Sequence, residues 1–246
     1  MKTFNLILIL LYSICSFGQK IDLNDRLRLE FLFKGNTDDS GPLGINGVIH
    51  GDVTYTPDRY NNPNSAALFD GDMDYIIVPK NDKLNFGKSD FSIAFWFKTN
   101  YSGSQMMIMK GNDSPPNYAQ YWVRLNSTWD NYALVFLAGD DFPPSSIVSY
   151  QYSETISDDT WHHIAGVREG TAMSLYVDGE LVNSEVQTIE NVDNVFDMII
   201  GAQFPRAEYY YHNFFKGALD DIRIYARALN ECEVEALFSG KFPPER

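Results

Sequence analysis

The region near the C-terminus contains the stretch FKGALDDIRIYARALN (residues 215–230), which predicts a strand followed by a short helix. Apolar and polar residues alternate after its two adjacent carboxylates, as in a strand with one buried face. This alternation places Asp220 on the same apolar face as Ile222 and Ile224, whereas Asp221 lies on the opposite face. Because a carboxylate on an apolar face needs a cation or several hydrogen-bond donors, we expect Asp220 to have such a partner.

The residues after this strand predict one short C-terminal helix. Asn230 is a favourable N-cap, and Glu233 stands three positions later, where it completes a capping box. An apolar stripe follows, and Gly240 is placed to end the helix.

The rest of the chain shows strand patterns separated by turn residues. Apolar residues alternate with polar ones from Leu27 to Phe33, and the segment Phe91–Lys98 is apolar on both faces, as in a central strand. Asp178-Gly179 is typical of a two-residue hairpin turn. We therefore predict an all-β fold, a two-sheet antiparallel β-sandwich of the jelly-roll kind with one short C-terminal helix.

Longer polar or aromatic stretches are predicted to be loops. They fall at about residues 34–62, 99–120, 126–131, 139–155 and 202–214. Ligand recognition is expected there, because loops on a rigid scaffold often carry function.

The N-terminus has the pattern of a secretory signal peptide over residues 1–18. Lys2 precedes a mostly apolar run, and Ser16-Phe17-Gly18 resembles a cleavage site. A lipid anchor at Cys15 is disfavoured because Ile14 stands where a small residue is required. No segment is long and apolar enough to predict a transmembrane helix. We expect an exported protein, placed outside the cell, on its surface or in the periplasm.

The predicted organisation and charge also limit the partners. Residues 19–26 form a lead-in, residues 27–240 one domain and residues 241–246 a tail. The chain has 33 acidic and 19 basic residues, for a net charge of −14. This charge argues against nucleic acid as a partner.

The C-terminal string FKGALDDIRIYARALNECEVEAL (residues 215–237) resembles the closing strand and helix of bacterial laminin-G-like jelly-roll domains. These domains are members of the concanavalin A-like lectin/glucanase superfamily. Further similarity lies in residues 34–41, 58–76, 91–97, 161–167 and 175–179. The resemblance implies the jelly-roll fold, with Trp96 and Trp161 in core positions.

A structural calcium ion is predicted between the opening loop and the closing strand. Calcium takes about six to eight oxygen ligands, and Asn36, Asp38 and Asp39 lie close together in the sequence. First and last strands are commonly neighbours in this fold, so Asp220 is expected to complete the site.

The resemblance favours Asp38 over Asp39 as a ligand, and Asp220 over Asp221. The alternative is that the two loop aspartates only cap a turn and that Asp220 pairs with Arg223 or with backbone donors.

A glycan site is predicted in the aromatic loops, because flat aromatic faces suit the apolar face of a sugar and polar groups suit its hydroxyls. The candidate residues are Arg206, Tyr209, Tyr210, Tyr211 and His212, with Tyr118 and Trp129 in a second group.

Catalysis is not expected. Retaining glucanases of this superfamily carry a Glu-x-Asp-x-x-Glu strand, and the segment EVQTIE (residues 185–190) has Gln187 where the aspartate belongs. The sequence predicts a secreted, non-catalytic module that binds a glycan and holds a structural calcium ion. The alternatives are a module that binds a cell-surface or extracellular protein in adhesion, and an unrecognised glycan-active enzyme.

Overall fold

The computed structural model describes residues 21–111, 119–127, 132–140, 146–150, 156–203 and 212–241, so the predicted signal peptide lies outside the described residues. The strands of these ranges are β1 (Leu27–Phe31), β2 (Val48–His50), β3 (Thr54–Thr56), β4 (Ala66–Asp70), β5 (Tyr75–Val78), β6 (Phe91–Lys98), β7 (Gln105–Gly111), β8 (Gln120–Ser127), β9 (Tyr132–Gly139), β10 (Ile147–Tyr150), β11 (Trp161–Glu169), β12 (Ala172–Val177), β13 (Glu180–Val186), β14 (Met198–Ile200) and β15 (Lys216–Tyr225). A 3-10 helix, Asp82–Leu84, lies between β5 and β6, and the α-helix α1 (Glu231–Ser239) follows β15.

The strands form two antiparallel sheets that pack face to face, as predicted. The eight-stranded sheet has the order β13-β12-β11-β6-β15-β4-β3, with β1 also paired to β15. The seven-stranded sheet has the order β10-β9-β8-β7-β14-β5-β2. The protein is therefore a β-sandwich.

Strand β15 is bonded to three other strands. It pairs with β6 along one edge, and along the other edge it pairs first with β4 and then with β1. The register with β6 shifts between Asp220 and Arg223, and Asp221 has a positive φ of 48°. These features define a β-bulge, which adds a residue to one strand and re-aims the side chains beside it.

The core between the sheets is rich in aromatic side chains. Phe91, Phe95 and Phe97 of β6 face it and are fully buried. Complete burial of such a side chain contributes about 1.5–3 kcal/mol. Gly166 of β11 makes room for Phe136 of β9, because a Cβ added at Gly166 would lie 2.7 Å from the ring.

Helix α1 covers part of the outer face of the eight-stranded sheet. Its Val234 and Leu237 pack in a second apolar cluster that includes Ala94 of β6 and Ala165 of β11. The predicted capping box is present, since Asn230 and Glu233 exchange side-chain to backbone hydrogen bonds. Small side chains on the two strands let the helix approach the sheet closely.

The hairpin turn at Asp178-Gly179 is confirmed, with φ angles of 51° and 83° that suit a tight turn between β12 and β13. The predicted loop 99–120 is partly wrong, because β7 lies within it and is buried along its whole length. Short strands β2 and β3 also lie inside the predicted loop 34–62. In the described part of the chain, no helix has the length and apolar character needed to cross a bilayer.

We expect Gly166→Ala to lower the free energy of unfolding by about 1–3 kcal/mol, because the new methyl group overpacks the core against Phe136. Urea unfolding of the variant and the wild type measures this difference. In the double variant with Phe136→Leu, part of the cost of Gly166→Ala should disappear, since a smaller side chain leaves room for the methyl group. Strictly additive costs would contradict this account of the packing.

Candidate functional site

A groove of about 640 Å³ lies on the outer face of the eight-stranded sheet, beside the half that α1 covers. Its floor is a row of side chains that stand directly opposite one another on five neighbouring strands. In order from β3 through β4, β15 and β6 to β11, the row is Thr54, Leu68, Ala218, Lys98 and Trp161. The groove is named here by this row and the loops beside it.

Acidic side chains dominate the lining of the groove. The charged residues are Asp52, Asp58, Asp70, Asp74, Asp159, Lys98 and Lys216, a formal excess of three negative charges. The Lys98 Nζ lies 3.7 Å from an Asp159 oxygen. At their level of exposure this ion pair contributes little to stability, so both groups stay available to a ligand.

Two walls of the groove are held in place by aspartates that accept backbone hydrogen bonds. The buried Asp74 accepts from the N–H groups of Asp52 and Asp70, at 2.5 and 3.0 Å. Asp58 accepts from the Tyr60 and Asn62 N–H groups, both at 2.8 Å. These bonds define the shape of the loops without a ligand.

Arg59 fastens one wall to the sheet. Its Nη1 and Nη2 donate to Asp220 Oδ2 at 3.0 Å and to Asp221 Oδ2 at 2.6 Å. The guanidinium also lies over the rings of Trp96 and Tyr60, at 4.5 and 4.4 Å. One cation therefore neutralises both carboxylates of the bulge and stacks between two aromatic rings.

The predicted face of Asp220 is wrong. Asp220 stands opposite Trp96 on the outer face, whereas Ile222 and Ile224 point into the core, because the bulge breaks the two-residue period between them. Burial raises the pKa of Asp220 to about 8, and the neighbouring Asp221 carboxylate acts in the same direction, whereas the Arg59 guanidinium opposes the shift. The predicted partnership with a cation is correct, but the cation is Arg59 and not Arg223.

The opening loop places its polar groups in a turn. Asp39 is buried, and its carboxylate accepts three backbone hydrogen bonds at 2.8–2.9 Å, from Glu30, Gly41 and Ile45. Asn36 and Asp38 are exposed, and the Asp38 N–H donates to Asn36 Oδ1 at 3.1 Å. Asp39 thus caps the turn, in agreement with the alternative considered from the sequence.

The expected neighbourhood of the first and last strands is confirmed by the pairing of β1 with β15. The described residues nevertheless do not fit a calcium site shared between Asp39 and Asp220. Backbone donors occupy the first carboxylate and Arg59 the second. Across the described ranges, no group of three or more His, Cys, Asp or Glu side chains is arranged to hold a metal ion.

Calcium binding by the exposed Asn36 and Asp38 of the opening loop stays a prediction. Calorimetric titration of EDTA-treated protein with calcium tests it.

Of the aromatic-loop residues predicted to contact a ligand, His212 lies in the described part of the chain, where its carbonyl accepts a hydrogen bond from the Gln203 N–H at 2.9 Å. Arg206, Tyr118, Trp129, Tyr209, Tyr210 and Tyr211 lie outside the described residues. Trp96 is buried under α1, where it stacks on Phe238 at 5.6 Å.

Trp161 was missed as a site residue. It was assigned to the core, but it is half-buried and lines the groove. Its position at the first residue of β11, after the polar run Ser157-Asp-Asp-Thr160, is the signal that places it at the edge of the sheet.

His162 holds the segment that leads to Trp161. Its Nδ1 lies 2.8 Å from Asp178 Oδ2, and its Nε2 lies 3.2 Å from Asp158 Oδ1. The hydrogen bond with Asp178 raises the pKa of His162 above its usual value. Burial lowers the pKa of the neighbouring His163 to about 3, so that ring stays neutral.

The comparison with known families identifies this fold. A family model described as the Concanavalin A-like lectin/glucanases superfamily matches residues 70–235. The chain therefore belongs to this superfamily, as a laminin-G-like jelly-roll domain.

Several proteins are similar to this chain. Paraclostridial mosquitocidal protein 1 of Paraclostridium bifermentans is 31% identical over 179 residues, which are 68% of this chain and 14% of that protein. The crystal structure of its binding domain has a TM-score of 0.67 at 23% identity, over 89% of this chain and 53% of that one. The match thus spans a small part of the length of the curated relative.

Two further solved structures share the fold. Domain 4 of AbnA, a GH43 extracellular arabinanase from Geobacillus stearothermophilus in complex with arabinotriose, has a TM-score of 0.65 at 21% identity, over 86% of this chain and 98% of that one. Botulinum neurotoxin type C, whose cell entry depends on interaction with two ganglioside molecules, has a TM-score of 0.66 at 18% identity, over 88% and 51%. At these identities the likeness shows the fold alone.

We expect Arg59→Ala to lower the free energy of unfolding by about 3–5 kcal/mol, because it leaves the Asp220 and Asp221 carboxylates without their cation in a buried setting. Chemical denaturation measures this loss. Lys80→Ala, which removes an exposed cation elsewhere, should change the free energy by about 0.5 kcal/mol or less. Equal effects of the two substitutions would show that Arg59 does not stabilise the bulge.

We expect part of the stability to depend on the charge of His162. Folded His162 binds its proton more tightly than the unfolded chain does, so its contribution is complete below a pH of about 6.5 and is lost as the pH rises through the higher folded pKa. Urea unfolding at about pH 6 and about pH 8 should show a smaller decrease for His162→Gln than for the wild type. His50→Gln, on the other sheet, should keep the decrease; the same decrease in both variants would refute this role.

Proposed function

We propose that this protein is a secreted, non-catalytic binding module that recognises a glycan in the groove on the eight-stranded sheet. The observation that carries the proposal is the groove itself, which combines Trp161 with carboxylate, amide and hydroxyl groups. A sugar ring has an apolar face that suits an aromatic side chain and hydroxyls that suit such polar groups. The open half of the sheet thus offers both kinds of contact in one concave surface.

The relatives support a binding role. The similar domain of the mosquitocidal protein is a binding domain, and the arabinanase domain is a separate unit that is known with a trisaccharide. Ganglioside recognition by botulinum neurotoxin type C adds a second glycan. The sequence also lacks the glucanase Glu-x-Asp-x-x-Glu string, which favours binding without turnover.

Rigid walls favour binding as well. Asp74 and Asp58 hold their loops through backbone hydrogen bonds, and Arg59 ties the second loop to β15. A site whose walls are already ordered loses less conformational freedom when a ligand binds, which strengthens affinity. Export follows from the predicted signal peptide and remains part of this proposal.

We expect Trp161→Ala to weaken glycan binding about tenfold or more, equivalent to about 1.4 kcal/mol, because the variant removes the aromatic surface of the groove. Screening of wild type and variant on an array of neutral and acidic glycans, followed by calorimetry on each hit, measures the change. Val186→Ala, at a position that is 80% exposed on β13, is the matched control and should bind as the wild type does. Thermal unfolding checks that both variants are folded.

Three results would overturn the proposal. An array with no glycan hit, together with direct binding of a purified extracellular protein, would favour the protein-interaction alternative. Hits that Trp161→Ala leaves unchanged would place the site elsewhere, and Tyr210→Ala and Tyr211→Ala in the same assay test the predicted aromatic loop. Release of shorter sugars from a bound glycan would show an enzyme.

A further inference from the structure

The floor of the groove runs across the strands and not along them. The row from Thr54 to Trp161 joins five neighbouring strands through direct register partners. Adjacent strands lie about 4.8 Å apart, so the row is about 19 Å long. A surface of this length is much longer than one sugar ring and matches an extended chain of several units.

The floor is lowest in its middle. Ala218 is the smallest side chain of the row and is buried, and Leu68 beside it is 37% exposed. Trp161 marks one end of the row and the exposed Thr54 marks the other. Because no side chain of the row rises at the centre, a linear ligand can lie across β4, β15 and β6 without a bend.

The charges of the groove select against anions. Five aspartates and two lysines line it, and the whole chain has a net charge of −14. A carboxylate-bearing sugar would be repelled by this field, whereas a neutral sugar can donate its hydroxyl protons to the aspartates. Lys98 and Lys216 add donors for the oxygens of the ring and the glycosidic bonds.

We infer that the groove takes an unbranched, uncharged oligosaccharide longer than a disaccharide, which lies across the strands with one end at Trp161 and the other at Thr54. This inference rests on the proposed function and specifies the class of glycan. It also separates the groove from a site for sialylated or uronic acid sugars.

Calorimetry with the full chain tests the inference. The probes are neutral arabino-, xylo-, cello- and manno-oligosaccharides from monosaccharide to hexasaccharide, together with oligogalacturonides of the same lengths. For at least one neutral series we expect the affinity to rise about tenfold or more with length and then to level off once the row is filled. The oligogalacturonides should bind about tenfold more weakly or not at all, and this difference should shrink at high salt.

Two variants locate the ligand along the row. Trp161→Ala should weaken every length, because it changes the end at which even a short chain binds. Thr54→Lys should weaken only the longer chains, since it changes the far end, and its exposed position protects the fold. A variant that affects all lengths at both ends would mean that the ligand does not span the row.

The outcomes separate this inference from the proposed function. A monosaccharide that binds as tightly as the hexasaccharide, or an oligogalacturonide that binds more tightly than every neutral series, would overturn the inference if Trp161→Ala abolishes that binding, while the proposed function would stand. The absence of binding to every glycan of the array and of these series would overturn both.

Discussion

Strand β15 is the constraint on which the rest of the structure depends. It hydrogen-bonds to β6 on one edge and to β4 and β1 on the other, so it connects the beginning, middle and end of the chain in one sheet. The change from β4 to β1 falls next to a bulge, where Asp220 and Asp221 meet Arg59. Two carboxylates of low exposure need such a cation, because their burial without one would cost several kcal/mol.

The same bulge divides the outer face of the eight-stranded sheet. On one side the small residues Ala94 and Ala165 receive α1, and on the other side the row through Ala218 and Lys98 is left open as the groove. Arg59 lies at this boundary and holds the loop that forms one wall of the groove. Stability of the last strand and the shape of the proposed binding surface therefore depend on one guanidinium.

Sequence patterns predicted the fold well where the signal was local. Alternation in β1, the Asp178-Gly179 turn and the Asn230 cap each correspond to structure, since each depends on residues close together in the chain. The face of Asp220 was wrong because one extra residue at a bulge shifts the two-residue period, and nothing in the alternation of side chains reports that insertion. Strand β7 was missed because its flanking polar residues suggested a loop.

By itself, the sequence determined a two-sheet β-sandwich with one capped helix, an acidic surface and membership of the concanavalin A-like superfamily. Only the tertiary structure decided that Arg59 is the partner of Asp220, across 161 positions of the chain, and that Asp39 caps a turn. It also decided the groove, whose floor takes one residue from each of five strands. The reason is that local patterns are written in neighbouring residues, whereas a surface across a sheet is set by strand order and register.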